Sequence, residues 1–141
     1  MMQYLLKKYY CKKRKKLLKL KLWFFFSCFI YSKDLKMKWH KRFLELAEHI
    51  ASFSKDPSTK VGAVIFDEGN RIISMGYNGL PQKVIDSDER YNNRELKYKT
   101  IIHAEMNAIL FAKKDLTNCS IATWPFMSCS NCTSAIIQSG N

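Results

Sequence analysis

The sequence contains no apolar run long enough to cross a bilayer. The run at residues 22–31, LWFFFSCFIY, has ten residues, and a helical span needs about 20. It follows a basic stretch, an order that resembles a signal peptide or anchor, yet no small-x-small cleavage site comes after it. There is no internal repeat, which excludes repeat architectures, and no low-complexity segment beyond the basic N-terminus. The five cysteines, Cys11, Cys28, Cys119, Cys129 and Cys132, are odd in number and lack the spacing of a disulfide scaffold. That points to a reducing, cytoplasmic setting with two cysteines used for metal. Acidic residues are scarce at one end only. Residues 1–36 hold eleven Lys/Arg and one acid, Asp34, a net of +10; residues 37–141 hold 13 Lys/Arg and 11 Asp/Glu, a net of +2. The overall charge of +12 therefore belongs to the N-terminal arm. Such an arm can touch nucleic acid or an anionic membrane; it carries no organised motif for either, and neither partner is expected.

What remains is one domain. A chain of 141 residues with 47% hydrophobic content holds enough apolar surface for a single core. We divide it into a basic and apolar extension, residues 1–36, and a working domain, residues 37–141, with Met37 as an alternative start. Residues 38–53 predict a helix, with Phe43, Leu46, Ala47, Ile50 and Phe53 on one face. Asp56-Pro57 lies past its end. His40 and His49 fall on the solvent side. Residues 60–66 and 71–77 read as two strands of a hairpin around Asp67-Glu68-Gly69-Asn70. Residues 80–99 show little periodicity and many charges, the pattern of a long functional or mobile loop. Residues 101–112, IIHAEMNAILFA, predict a helix apolar on most sides, hence an internal one. A third strand is expected over 118–124, with Cys119 as a small core residue. A third helix is expected over 129–138, starting at Cys129 and capped by Gly140.

Two stretches concentrate the chemistry. His103-Ala104-Glu105 opens one helix and Cys129-Ser130-Asn131-Cys132 opens another. One imidazole and two thiols with an open fourth position make the donor set of a catalytic zinc site. Glu105, two residues from His103, is the residue type that moves protons for water there. Residues two apart do not face one way in mid-helix, so His103 must lie at the helix entry. Cys129 and Cys132 share a face, at a helix start that favours their ionised form. Separately, the pieces are ambiguous: Cys129-x-x-Cys132 alone also suits a redox pair or half of a structural zinc site, and His103 alone an ordinary core histidine. Their conjunction matches, the proline apart, H-x-E…P-C-x-x-C, the pattern of zinc nucleobase deaminases, in which the Glu is acid and base.

From Lys38 onward the chain resembles deoxycytidylate deaminases of the cytidine deaminase-like superfamily. The resemblance lies in residues 54–64, SKDPSTKVGAV, residues 76–81, GYNGLP, residues 94–99, RELKYK, residues 103–110, HAEMNAIL, and residues 132–140, CTSAIIQSG. It implies an α/β fold, a three-layer α/β/α sandwich with a mixed central sheet, here ending after the third strand and third helix, so that the third strand keeps an unpaired edge. It implies Zn2+ held by His103, Cys129 and Cys132, catalysis by Glu105, and hydrolytic deamination of dCMP to dUMP. It implies that Asn78 helps hold the nucleotide and that the Ala104 backbone meets the pyrimidine. The 5′-phosphate calls for fixed positive charge, from Arg90, Arg94, Lys97 or Lys60. Known members are homo-oligomers, and many respond to dCTP and dTTP. Three departures stand out. Pro125 lies four residues before Cys129, where the family usually has proline directly before the cysteine. Gln82-Lys83 replaces an Arg-Gly pair linked to effectors. The strands that follow Gly140 in the family are not in this sequence. The runner-up readings are another zinc deaminase of the superfamily, acting on tRNA adenosine, guanine or a riboflavin precursor, and an inactive fragment.

Overall fold

The computed structural model describes residues 22–140, with side chains from residue 37. The basic stretch 1–21 lies outside the described residues. The chain divides into two compact units, Met1–Lys33 and Asp34–Asn141, and every element after the start of the first helix belongs to the second.

Helix α1 spans Leu22–Ala51. It starts earlier than the expected 38–53 and stops two residues sooner. The amides of Ser52, Phe53 and Ser54 bond to the carbonyls of His49, Ile50 and Ala51, a tighter winding typical of a helix terminus. Phe43, Ala47 and Ile50 are buried as expected, whereas Phe53, beyond the last helical turn, is 50% exposed. His40 and His49 are exposed.

Strands β1 (Gly62–Phe66) and β2 (Ile72–Tyr77) form the expected hairpin. Asp67 organises the turn: its carboxylate accepts from the Arg71 amide at 2.9 Å and from Arg71 Nε at 2.8 Å. Asn70, not Gly69, takes the left-handed conformation (φ 61°), a role asparagine tolerates. A register shift between Ile65 and Phe66 places Ile73 opposite no single partner, the signature of a β-bulge. Strand β3 (Ser120–Trp124) pairs with the other side of β1, so the order is β2-β1-β3.

Both pairings are antiparallel, a departure from the mixed sheet expected. The reason is topological. Helix α4 (Ala104–Ala112) follows β2 and carries the chain back along the sheet, so β3 runs in the same sense as β2. Central β1 separates those two strands, and no parallel neighbours meet among the described residues. The far edges of β2 and β3 are unpaired among the described strands.

β1 is buried along its whole length, and its side chains alternate between two cores. Val64 and Phe66 face α1, packing with Phe43, Ala47 and Ile50. Ala63 and Ile65 face α4, packing with Ala104, Ala108 and Leu116. Cys119 joins this second cluster from the side, as expected of a small apolar residue. Helix α5 (Ser130–Gln138) packs against α4. The result is helix, sheet, helix: the three layers of an α/β/α sandwich. Two glycines set the layer spacing. A β-carbon at Gly62 would lie 2.1 Å from the Ala47 carbonyl oxygen, and one at Gly76 would lie 2.5 Å from the Ala104 carbonyl oxygen; only the absence of a side chain permits either approach.

Two further expectations are corrected. The stretch 80–99 is not a plain loop: it contains α2 (Asp88–Asn92) and α3 (Arg94–Thr100). Ser87 and Asn93 cap them, accepting from the Arg90 and Leu96 amides, and acids fill both first turns. Elements of five and seven residues are too short to show a helical period. Helix α4 is not internal on most sides either, for Leu110 is 58% and Phe111 45% exposed. Only its sheet-facing Ala104, Glu105 and Ala108 are buried. The described helices include none long and apolar enough to cross a membrane.

Candidate metal centre

The chain's direction through the fold brings the two motifs together. β1 begins at Gly62, opposite Tyr77 at the end of β2 and Trp124 at the end of β3. At that same edge α4 begins, because Gly79 and Ile102 exchange backbone hydrogen bonds of 3.1 and 2.8 Å. His103 follows as the N-cap of α4, with extended backbone (φ −70°, ψ 153°). After Trp124 the chain reaches Cys129, the N-cap of α5 (φ −67°, ψ 168°), with Cys132 in that helix's first turn.

His103 Nδ1 lies 3.5 Å from Cys129 Sγ and 3.3 Å from Cys132 Sγ. All three donor atoms fall within 4.8 Å of one another. Tetrahedral zinc, with Zn–N near 2.05 Å and Zn–S near 2.3 Å, sets N and S about 3.5 Å apart. The residues present therefore fit that ion, in spacing and in donor chemistry. His103 and Cys129 are exposed and Cys132 is buried, so the group opens toward solvent on one side only.

Glu105 is 4% exposed and near enough to Cys132 for its charge to act on the thiol. Burial, then the nearby Glu105 charge, then Cys129 push the Cys132 pKa up to about 12. A dication among these donors inverts that logic and deprotonates a coordinating thiol. The cation site is therefore defined by its geometry and donor types, and its thiols become anionic donors only with the ion.

Asn78 is also buried, but its side chain already has partners. Oδ1 accepts from the Val61 amide at 2.7 Å, and Nδ2 donates to the Thr59 carbonyl at 2.8 Å. Ala104 is buried, with its carbonyl against Gly76. The expected cations are mostly engaged elsewhere. Arg90 donates to the Ile85 carbonyl at 2.5 Å. Arg94 lies over the Tyr98 ring, 5.4 Å from its centroid. Lys97 binds Asp56 at 2.7 Å and Ser58 Oγ at 2.6 Å. Lys60 is exposed, flanked by the two residues that hold Asn78.

Sequence reasoning missed two groups. Asn107 donates to the Tyr77 carbonyl at 2.8 Å, tying α4 to β2. Asp56, read only as a helix stop, is 1% exposed and accepts from the Ser58 amide and hydroxyl, the Thr59 amide and Lys97. The Asp-Pro-Ser-Thr run, an Asx-type turn sequence, was the available signal.

An α/β/α sandwich with a His/Cys/Cys donor group at two helix starts and a buried glutamate beside it defines a zinc-site deaminase class. The sequence model described as "Cytidine and deoxycytidylate deaminase zinc-binding region" matches residues 37–141, and the chain belongs to that family. It is 54% identical over 103 residues to the "Uncharacterized deaminase in luxG 3'region" of Aliivibrio fischeri, covering 73% of this chain and 68% of that one. It is 40% identical over 107 residues to the "Probable deoxycytidylate deaminase" of Caenorhabditis elegans, covering 73% of this chain and 54% of that one. The chain thus spans between about half and two thirds of the length of these relatives. Among solved structures, the apo dCMP deaminase of the cyanophage S-TIM5 matches with a TM-score of 0.60 at 22% identity, covering 73% of this chain and 77% of that one; that likeness bears on the fold.

Proposed function

We propose that the chain is a zinc-dependent hydrolase that converts dCMP and water to dUMP and ammonia. The observation that carries this reading is the His103, Cys129 and Cys132 group with Glu105 buried against it. The nucleotide comes from the nematode relative, a "Probable deoxycytidylate deaminase". Zinc, when bound, supplies a water activated as nucleophile near neutral pH.

His103, Cys129 and Cys132 would hold the ion, with His103 and Cys129 on the solvent side and Cys132 buried. Glu105 accepts a proton from the attacking water and delivers it to ring N3 as C4 is attacked. Glu105 then takes the proton of the hydroxyl now on C4 and passes it to the exocyclic nitrogen; the C4–N bond breaks, the C4 carbonyl forms, and ammonia leaves. The carboxylate ends as it began, so atoms and charge balance. The main chain at Ala104 lines the pyrimidine. Asn78 orients the nucleotide, held by the Thr59 and Val61 backbones, and Lys60 between those two residues meets the 5′-phosphate.

Ammonia release from dCMP, compared with deoxycytidine, guanine and tRNA, tests the proposal. Turnover of dCMP at least tenfold above deoxycytidine supports it. Preference for a substrate without the 5′-phosphate replaces it with another activity of the superfamily. Homo-oligomer formation and control by dCTP or dTTP belong to the same proposal, read by light scattering and by turnover with added triphosphate.

A further inference from the structure

Next to the edge that carries the metal donors lies a polar cluster of which the proposed reaction uses only Asn78. Its centre is the Asp56–Lys97 ion pair, with Nζ to Oδ1 at 2.7 Å and side-chain exposures of 1% and 12%. Around it the bonds leave little freedom. Ser58 donates its amide and its hydroxyl to Asp56, both at 2.9 Å, and Thr59 donates its amide at 3.1 Å. Lys97 reaches Ser58 Oγ at 2.6 Å. Ser54 Oγ, also buried, donates to the Asn78 carbonyl at 2.8 Å. The Asn78 amide group closes on Thr59 and Val61.

The two halves of this cluster lead to the two halves of one bridge. Asn78 immediately precedes Gly79. Lys97 lies on α3, whose C-cap Ile101 donates back to the Lys97 carbonyl at 2.8 Å and immediately precedes Ile102. Gly79 and Ile102 are the residues that pair with each other, and His103 is the next residue along. The ion pair therefore joins the chain entering the bridge from the Asn78 side to the chain entering it from the α3 side. We propose that Lys97, through Asp56, is a positioning residue: it latches α3 to the 56–61 turn and so sets the Gly79–Ile102 register from which His103 is presented to the metal. It is a latch and not a phosphate anchor, because its ammonium is directed at Asp56 and Ser58. The inference rests on the reading of His103 as a metal ligand. Direct hydrogen-bond partners of a metal ligand change affinity about 10- to 100-fold when removed; Lys97 acts through the backbone, so its effect falls toward the lower end.

The test uses the full chain with Lys97→Met, Lys97→Arg and Ser58→Ala. Lys55→Met, which breaks the exposed Lys55–Asp86 pair, is the control. Zinc affinity is measured by competition with a chelating dye, without substrate, and amide exchange is followed at Gly79 and Ile102. Lys97→Met should weaken zinc severalfold, up to about tenfold, and speed exchange at both amides. Lys97→Arg should recover most of both, Ser58→Ala should move them the same way by less, and Lys55→Met should change neither. A Lys97→Met protein with a lower unfolding midpoint but unaltered zinc affinity and unaltered exchange overturns the latch and leaves Lys97 as a stability contact only. Should Lys97→Met not fold, Ser58→Ala decides by the same two readings. The two proposals fail separately. Absent dCMP turnover in a wild type that binds zinc sinks the substrate and spares the latch. A KM for dCMP raised severalfold with kcat unchanged in Lys97→Arg, and zinc affinity unchanged, restores Lys97 as a phosphate anchor.

Discussion

Substituting Gly76 by alanine should weaken metal binding, and substituting Gly62 should not, although position 62 is the tighter of the two. A β-carbon at 76 would lie 2.5 Å from both the Ala104 carbonyl oxygen and the Ala108 amide nitrogen, against 3.4 Å for an ordinary contact. Helix α4 or strand β2 must give way by about 0.9 Å. The obstructing atoms are backbone, so no side chain can rotate aside. Metal–ligand distances tolerate about 0.2 Å, and the start of α4 carries His103 as its N-cap and Glu105 in its first turn. At Gly62 the β-carbon would meet the Ala47 oxygen at 2.1 Å and the Ala51 nitrogen at 2.5 Å. That clash lies on the opposite sheet face, against α1. Overpacking of this kind costs about 1–3 kcal/mol, occasionally more. The entropy that alanine removes from the unfolded chain returns about 0.4–1 kcal/mol, so the steric term wins at both sites. Urea unfolding of the apo protein should show Gly62→Ala as the less stable variant. Dye competition should show Gly76→Ala losing zinc affinity about tenfold or more, with Gly62→Ala near wild type. Equal zinc loss in both variants, or none in Gly76→Ala, refutes the link between α4 seating and the donor group.

Glu105→Gln should lower dCMP turnover by about 10²- to 10⁴-fold while zinc stoichiometry stays at the wild-type value; near-normal turnover would falsify its proton-carrying role. Cys132→Ser should abolish stable zinc uptake, measured by metal analysis after dialysis, since it removes the one buried donor of the three. Phe43→Ala should cost about 3–5 kcal/mol in urea unfolding, because Phe43 is buried and stacked on Phe66 at 3.8 Å between centroids; a loss under 1 kcal/mol contradicts that core. Burial works to raise the Asp56 pKa, but bonds from Lys97, Ser58 and Thr59 outweigh it and hold the carboxyl below its usual 3.8. A folded pKa below the unfolded one gives stability that is present above 3.8 and is lost as pH falls through the folded value. The urea midpoint should therefore decline below about pH 5, and Asp56→Asn should be less stable at neutral pH with a flatter decline.

The parts of the molecule legible in its sequence were those with a period or a fixed spacing. Phe43, Ala47 and Ile50 repeat at three and four residues and lie buried together. Gly62–Phe66 is apolar throughout and is the central strand. The requirement that His103 stand at a helix entry, if it shares a site with Glu105, followed from helix geometry alone, and His103 is the N-cap. What could not be read depended on contacts across the fold. Helices α2 and α3 have no period to detect. Leu110 and Phe111 are as apolar as Ala108, and only the position of the sheet determines which side of α4 is covered. Lys97 and Arg94 look alike as surface charges; one pairs with a buried carboxylate 41 residues away and the other lies over an exposed ring. The antiparallel sheet follows from a path, β2 then α4 then β3, that no local pattern encodes.

The helix caps separate structural from functional positions. At α2 and α3 the N-caps are Ser87 and Asn93, residue types favoured there, and each side chain accepts from an amide of the first turn. At α4 and α5 the N-caps are His103 and Cys129, and neither makes a side-chain cap bond. Leaving a cap unmade costs about 1 kcal/mol per helix. The same side chains instead meet each other at 3.5 Å. Departures from local rules without local compensation concentrate at functional sites, and here two of them fall on the two ligand-bearing helix starts. The start of α5 sets its partial positive charge beside both thiols, but burial and the Glu105 charge outweigh it and raise the Cys132 pKa to about 12. The thiolate donor set therefore forms with the metal ion, which deprotonates a coordinating thiol, and not in advance of it.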